Sequence, residues 1–115
     1  MSPCRPDLDE GERRRRRLAA LVSQLTAFAF DTSTEEMARA SRREPVAVRA
    51  RQAAMYLTHV AFDLSVSQVA AAFGRDRTTV AAACARVEEW RDDPAVDARL
   101  SALEDCLRLT PGACA

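Results

Sequence analysis

The sequence predicts an all-α fold, a compact bundle of about six helices, and three observations carry that prediction. Apolar residues make up 48% of the chain, yet Ala dominates them and aromatics contribute only 5%, a composition suited to closely packed helices rather than to a sheet. Segment after segment repeats apolar residues at the i, i+3, i+4, i+7 spacing of a helix that buries one face. Capping and breaking residues punctuate those segments at helix-length intervals. A chain of 115 residues has the size of one domain, expected here over 9–109 with short tails at 1–8 and 110–115.

Leu18, Leu21, Val22, Leu25 and Phe28 share a helical face, so a first helix is expected from about Asp9 to Phe30 with that face buried. Ser33 followed by Glu36 has the capping-box pattern and predicts a short helix through Ala40. A basic loop, Ser41 to Glu44, ends at Pro45, whose fixed φ suits the first turn of a third helix reaching about Phe62. Ala50, Ala53, Ala54, Leu57 and Ala61 form its apolar stripe. Ser65 caps a fourth helix with Val66, Val69, Ala70 and Phe73 inward, and Gly74 stops it by admitting a left-handed backbone. Only Arg75 intervenes before Asp76, a good N-cap for a fifth helix that turns Val80, Ala83, Cys84 and Val87 inward and ends near Trp90. Two amphipathic helices joined by so short a glycine-containing turn make a helix-turn-helix over about 65–90. Asp92, Asp93 and Pro94 restart the chain for a last helix to about Leu109, before Pro111 and Gly112. Its stripe of Val96, Leu100, Leu103 and Leu107 fits either the chain's own core or a second copy, with the core the expected choice and Trp90 part of that packing.

The 17 basic residues are all Arg and balance 17 acids, but the balance is uneven along the chain. Residues 39–86 hold eight Arg against three acids, whereas 87–115 hold three Arg against seven acids. The middle is therefore a basic block, the part suited to phosphate. Arg13 to Arg17 fits a nucleic-acid-binding arm or a solvated helix start paired with Asp9, Glu10 and Glu12; the second reading is preferred because the spacing matches helical ion pairs. With no Lys, the chain lacks a Walker loop. One His and no recognisable triad leave no basis for catalysis, and no cofactor is expected. Cys4, Cys84, Cys106 and Cys114 have neither paired spacing nor a His partner, so neither a metal site nor a disulfide framework is expected. No apolar run approaches the roughly 20 residues that cross a bilayer, and no signal peptide is evident, so a cytoplasmic protein is expected.

A recognition helix presents its first residues to base edges, here Asp76, Arg77, Thr78 and Thr79. Arg suits guanine, Thr a thymine methyl or a phosphate, and Asp a cytosine amine. Asp and Thr are equally well explained as helix caps, and the residue types alone leave both roles open.

The run Ala72-Phe73-Gly74-Arg75-Asp76-Arg77-Thr78-Thr79-Val80, with Arg51-Gln52-Ala53-Ala54-Met55-Tyr56-Leu57 upstream and Ala83-Cys84-Ala85-Arg86-Val87-Glu88 downstream, resembles the DNA-binding domain of the bacterial replication initiator DnaA. That family shows an RQxAMYL-type helix, a short helix ending in FGG, the signature RDHTTV and an ACRKIE segment. The resemblance implies a Trp-repressor-like helix-turn-helix that binds double-stranded DNA. Asp76, Arg77, Thr78 and Thr79 would face the major groove and Arg43 the minor groove. Arg49, Arg51, Gln52, Ser67 and Arg75 would lie near the phosphates, where the helix opened by Ser65 also offers main-chain donors. Two departures stand out: the second turn glycine is missing after Gly74, and the signature His is Arg77, which shifts the expected preference toward guanine. The length leaves no space for the initiator's ATPase module, so a free-standing, nucleoid-associated regulator of promoters or an origin is expected, with the acidic C-terminal helix as a surface for a partner protein. The rival reading is an interaction module that kept the fold and lost specific DNA binding.

Overall fold

A computed structural model describes residues 9–40 and 44–109. Among these residues the chain forms α1 (Glu10–Ala29), α2 (Thr34–Arg39), α3 (Pro45–Ala61), α4 (Val66–Phe73), α5 (Arg77–Trp90) and α6 (Pro94–Arg108). The all-α expectation therefore holds. Local chemistry sets most of the boundaries. At α1 the Asp9 carboxylate accepts from the Glu12 amide at 2.7 Å while the Glu12 carboxylate accepts from the Asp9 amide at 3.2 Å. Ser65 and Gln68 form the same reciprocal box at α4, and Ser33 accepts from the Glu36 amide to open α2. Pro45 and Pro94 occupy the first turns of α3 and α6, where a missing N–H costs nothing.

The third helix is the hub, packed against each of the other five. Ala47, Ala50, Ala53, Ala54, Met55, Tyr56, Leu57 and Thr58 are all buried, so the helix is enclosed around most of its circumference. Its alanines let neighbours approach closely, and the Thr58 hydroxyl is satisfied by the Ala54 carbonyl at 2.7 Å. One core cluster joins Val22, Met37, Ala50, Ala54, Leu57, Val87, Leu100 and Leu107. A second joins Met55, Leu64, Val69, Ala70, Val80 and Ala83 beneath the helix-turn-helix.

The first helix corrects the sequence-based expectation. Leu18 and Val22 are buried as anticipated, but Leu21 is 40% and Phe28 86% exposed, while Ala19, Thr26 and Ala27 are buried instead. The alanine surface of α3 accepts small residues at close range, so α1 is rotated to place its small residues inward, with the Thr26 hydroxyl donating to the Val22 carbonyl at 2.7 Å. Arg13 pairs with Glu10 at 3.1 Å, three residues apart rather than the four anticipated. The α6 stripe packs on the chain's own core, with Leu100 and Leu107 buried and Val96, Leu103 and Trp90 against them.

One arginine fastens α6. Arg91, whose side chain is 17% exposed, donates to Asp97, to the Tyr56 hydroxyl at 3.0 Å, to Glu104 at 3.3 Å and to the Ser101 hydroxyl at 2.7 Å. Burial opposes its charge, but the bonds to Asp97, Tyr56 and Glu104 outweigh that, and Arg91 holds its proton more firmly than an ordinary arginine. The Tyr56 hydroxyl donates onward to Glu88 at 2.9 Å, tying α3 to α5. Burial pushes the Tyr56 pKa up and Glu88 adds to the rise, although the hydrogen bond from Arg91 opposes it.

Two outcomes follow for stability. Arg91→Ala takes the guanidinium from Asp97, Ser101 and the Tyr56 hydroxyl and leaves Glu104 to Arg108 alone, and it should cost about 2 kcal/mol in urea unfolding. Because the folded-state pKa of Tyr56 is raised, its protonated form contributes stability that is present below the ordinary phenol value of 10.0 and is lost as pH rises through the folded value. Tyr56→Phe should flatten that alkaline loss in a Tm-versus-pH series.

Candidate nucleic-acid interface

The turn between α4 and α5 is built by the backbone. Gly74 takes a left-handed conformation, φ 66° and ψ 37°, the Arg75 amide donates to the Ala70 carbonyl at 2.9 Å and the Gly74 amide to the Ala71 carbonyl at 3.3 Å. That pair of bonds is the Schellman arrangement, which requires φ > 0 at Gly74. The chain therefore reverses and starts α5 within two further residues, although the second glycine of the family pattern is absent. Val69, Ala70, Val80 and Ala83 lock the two helices together from below.

Asp76, Arg77, Thr78 and Thr79 are all exposed at the start of α5. Asp76 occupies the N-cap position with extended backbone, yet its carboxylate makes no capping hydrogen bond. This departs from the capping expected of it and leaves its acceptor oxygens facing outward. A shallow concavity lies on each side of the helix. On the α4 side, about 660 Å³ is lined by Val66, Arg77, Thr78 and Ala81, next to the exposed Ser67. The reciprocal box occupies the Gln68 and Ser65 amides, whereas the Val66 and Ser67 amides belong to the helix start, where intrahelical acceptors are missing.

On the other side, about 460 Å³ is lined by Pro45, Val48, Arg49, Gln52, Arg86 and Trp90. The Arg49 guanidinium stacks over the Trp90 ring at 4.8 Å, a cation–π contact that holds it at the cleft. Arg86 and Trp90 were not among the expected interface residues. Arg86 follows Thr79 by seven residues, two turns along the same side of α5, and that spacing was the available signal. The position of Trp90 under Arg49 depends on a contact between distant segments and has no local signature.

Arg51 and Arg75 are placed differently from the rest. The Arg51 guanidinium donates to the Met37 and Ala40 carbonyls at 3.0 and 3.2 Å, and Arg75 donates to the Ala38 carbonyl at 3.0 Å. Both thus grip the negative end of α2. Burial, then the neighbouring Arg75 charge, lowers the pKa of Arg51. Through these bonds the helix-turn-helix turn and α3 hold the end of α2, where the basic loop begins. Arg43 in that loop lies outside the described residues. The structure brings Asp76, Arg77, Thr78 and Thr79 together, sets Ser67 at one flank and Arg49 and Gln52 at the other, and points Arg51 and Arg75 toward α2.

A short capped helix, a left-handed glycine turn and a second helix with its first turn exposed define the helix-turn-helix class of DNA-binding domain. The chain belongs to the bacterial DnaA protein helix-turn-helix family, whose model matches residues 19–87. A crystal structure of a DNA replication initiation factor superposes with a TM-score of 0.74 at 27% sequence identity, covering 85% of this chain and 30% of that one. The chain thus spans about a third of the length of that relative. No curated protein matches it.

The two N-cap positions should respond differently to substitution. Ser65→Ala removes a formed cap and should lower stability by about 1 kcal/mol, whereas Asp76→Ala removes none and should cost less than about 0.5 kcal/mol in the same denaturant titration.

Proposed function

We propose that this protein is a sequence-specific double-stranded DNA binder that regulates transcription by occupying promoter or origin sites. The observation that carries the reading is the first turn of α5. Four polar side chains stand exposed on a helix held by two core clusters, and the Asp76 carboxylate is not spent on a cap. Arg77 offers a bidentate donor to guanine, Thr78 and Thr79 offer methyl and hydroxyl groups, and Asp76 accepts from cytosine. The flanking concavities suit the two phosphate backbones that border a major groove. The α4 side offers helix-start amides beside Ser67, and the α3 side offers Arg49, Gln52 and Arg86. Arg51 and Arg75 act as positioning residues, holding the end of α2 so that the basic loop with Arg43 starts from a fixed point beside the helix-turn-helix. Membership of a DnaA helix-turn-helix family supports the same reading.

Binding of the purified protein to a pool of random duplexes, read by sequencing, tests this. A short motif should be enriched, Arg77→Ala should lose about 1–3 kcal/mol of affinity and relax the preference at one position, and Arg86→Ala should weaken all sequences alike while reducing the salt slope by about one. Failure to enrich any sequence, with weak binding even at low salt, would instead favour an interaction module that kept the fold.

A further inference from the structure

The arginines at 13–17 do not share one environment. Arg13 pairs with Glu10 at 3.1 Å, and Arg17, four residues before the exposed Leu21, stands exposed on the outer side of α1. Glu12, Arg15 and Arg16 fall together on another side, where with Gln68, Ala71 and Ala72 of α4 they line a narrow furrow. Arg16 is exposed and Arg15 half-buried. Gly11 helps to place Arg15: a Cβ there would stand 3.1 Å from its Nη1, so the glycine leaves the space in which that guanidinium lies. Neither Arg15 nor Arg16 forms an ion pair with a described residue. Glu12, the acid of the furrow, is engaged by the helix cap, its carboxylate accepting from the Asp9 amide at 3.2 Å.

We propose that Arg15 and Arg16 form a further phosphate contact, holding the duplex backbone beyond the edge of the base-reading site; this rests on the DNA-binding reading above and deepens it. The first turn of α4 links the two places. Its Val66 side lines the concavity shared with Arg77 and Thr78, its Gln68 side lines the furrow with Arg15 and Arg16, and the exposed Ser67 lies between them. A strand that passes the start of α4 therefore meets these arginines next. A helix is about 10 Å across with its side chains and a strand carries one phosphate per roughly 3.4 Å of duplex axis, so the contact falls about three phosphates further out. Guanidiniums suit it because they can hold a phosphate through two parallel hydrogen bonds. The residues matched to the family begin at 19, so this contact lies ahead of the matched domain. Being made to the backbone, it carries no base preference.

The test uses the full chain and duplexes carrying the motif that it enriches, either cut at the motif's ends or extended on each side by about one helical turn, roughly ten base pairs. The wild-type chain should bind the extended duplex more tightly. At about 100 mM salt, Arg16→Ala should weaken that binding about fivefold to tenfold and reduce the salt slope by about 0.9, the share of one phosphate. The enriched motif and the Tm should not change, and on the trimmed duplex the variant should match the wild type. Arg16→Lys keeps the charge and should keep most of the affinity. Arg17→Ala removes the same charge from the other side of α1 and should change binding less than about twofold, because salt screens a charge that is not in contact. If Arg16→Ala binds the extended duplex as the wild type does, with an unchanged slope, the proposal is overturned while sequence-specific binding stands. Equal losses from Arg16→Ala and Arg17→Ala also overturn it, since they would mark diffuse attraction. If the wild-type chain enriches no motif, the DNA-binding reading itself fails and this contact with it.

Discussion

The burial of α3 on nearly all sides is the constraint from which the rest of the arrangement follows. A helix packed against five others has little free surface on which to carry charge, and residues 53–58 accordingly comprise buried alanines, Met55, Tyr56, Leu57 and a self-satisfied Thr58. Polar chemistry is displaced to its start and to single outlets. At the start, Arg49, Arg51 and Gln52 emerge beside α2 and α5. In the middle, Tyr56 reaches the partly buried Arg91 that fastens α6. Replacing the small residues of α3 by larger ones would push all its neighbours outward at once, because native packing has little slack.

Position along α5 is set from two directions. Near its start Val80 and Ala83 sit in the cluster under the helix-turn-helix. Near its end Val87 belongs to the central core and Trp90 is stacked beneath Arg49. The exposed first turn is therefore carried on a rod pinned at both ends, which gives Arg77, Thr78 and Thr79 a defined direction before any ligand arrives. Preorganisation of this kind lowers the ordering cost of association.

Much of this was legible in the residues. Ser33, Ser65, Pro45, Gly74 and Pro94 announce helix ends through local geometry, and the spacing of Val69, Ala70, Val80 and Ala83 announces two helices facing a common core. The failures share a cause, which is that they depend on contacts between distant segments. Periodicity identifies an apolar stripe on α1 but not which of two adjacent stripes meets α3; the size of the alanine surface on α3 decided that, leaving Leu21 and Phe28 outside. Arg51 looks like any surface arginine until α2 folds back to present its carbonyls. Asp76 has the right type for a cap, and only the fold shows that the cap is not made.

The grip of Arg51 and Arg75 on α2 changes how the positive charge of this protein is to be counted. The basic block has eight arginines, yet these two already have the partial negative charge of a helix end for company. Their guanidiniums are partly neutralised by a backbone dipole, which leaves each with fewer mobile counter-ions to release. The ionic character of the surface is therefore smaller than the arginine count suggests, and among the described residues Arg49, Arg77 and Arg86 are the block's arginines that border the concavities beside α5. What a chain of zero formal charge offers a polyanion is then the local placement of these guanidiniums rather than a bulk excess of positive charge.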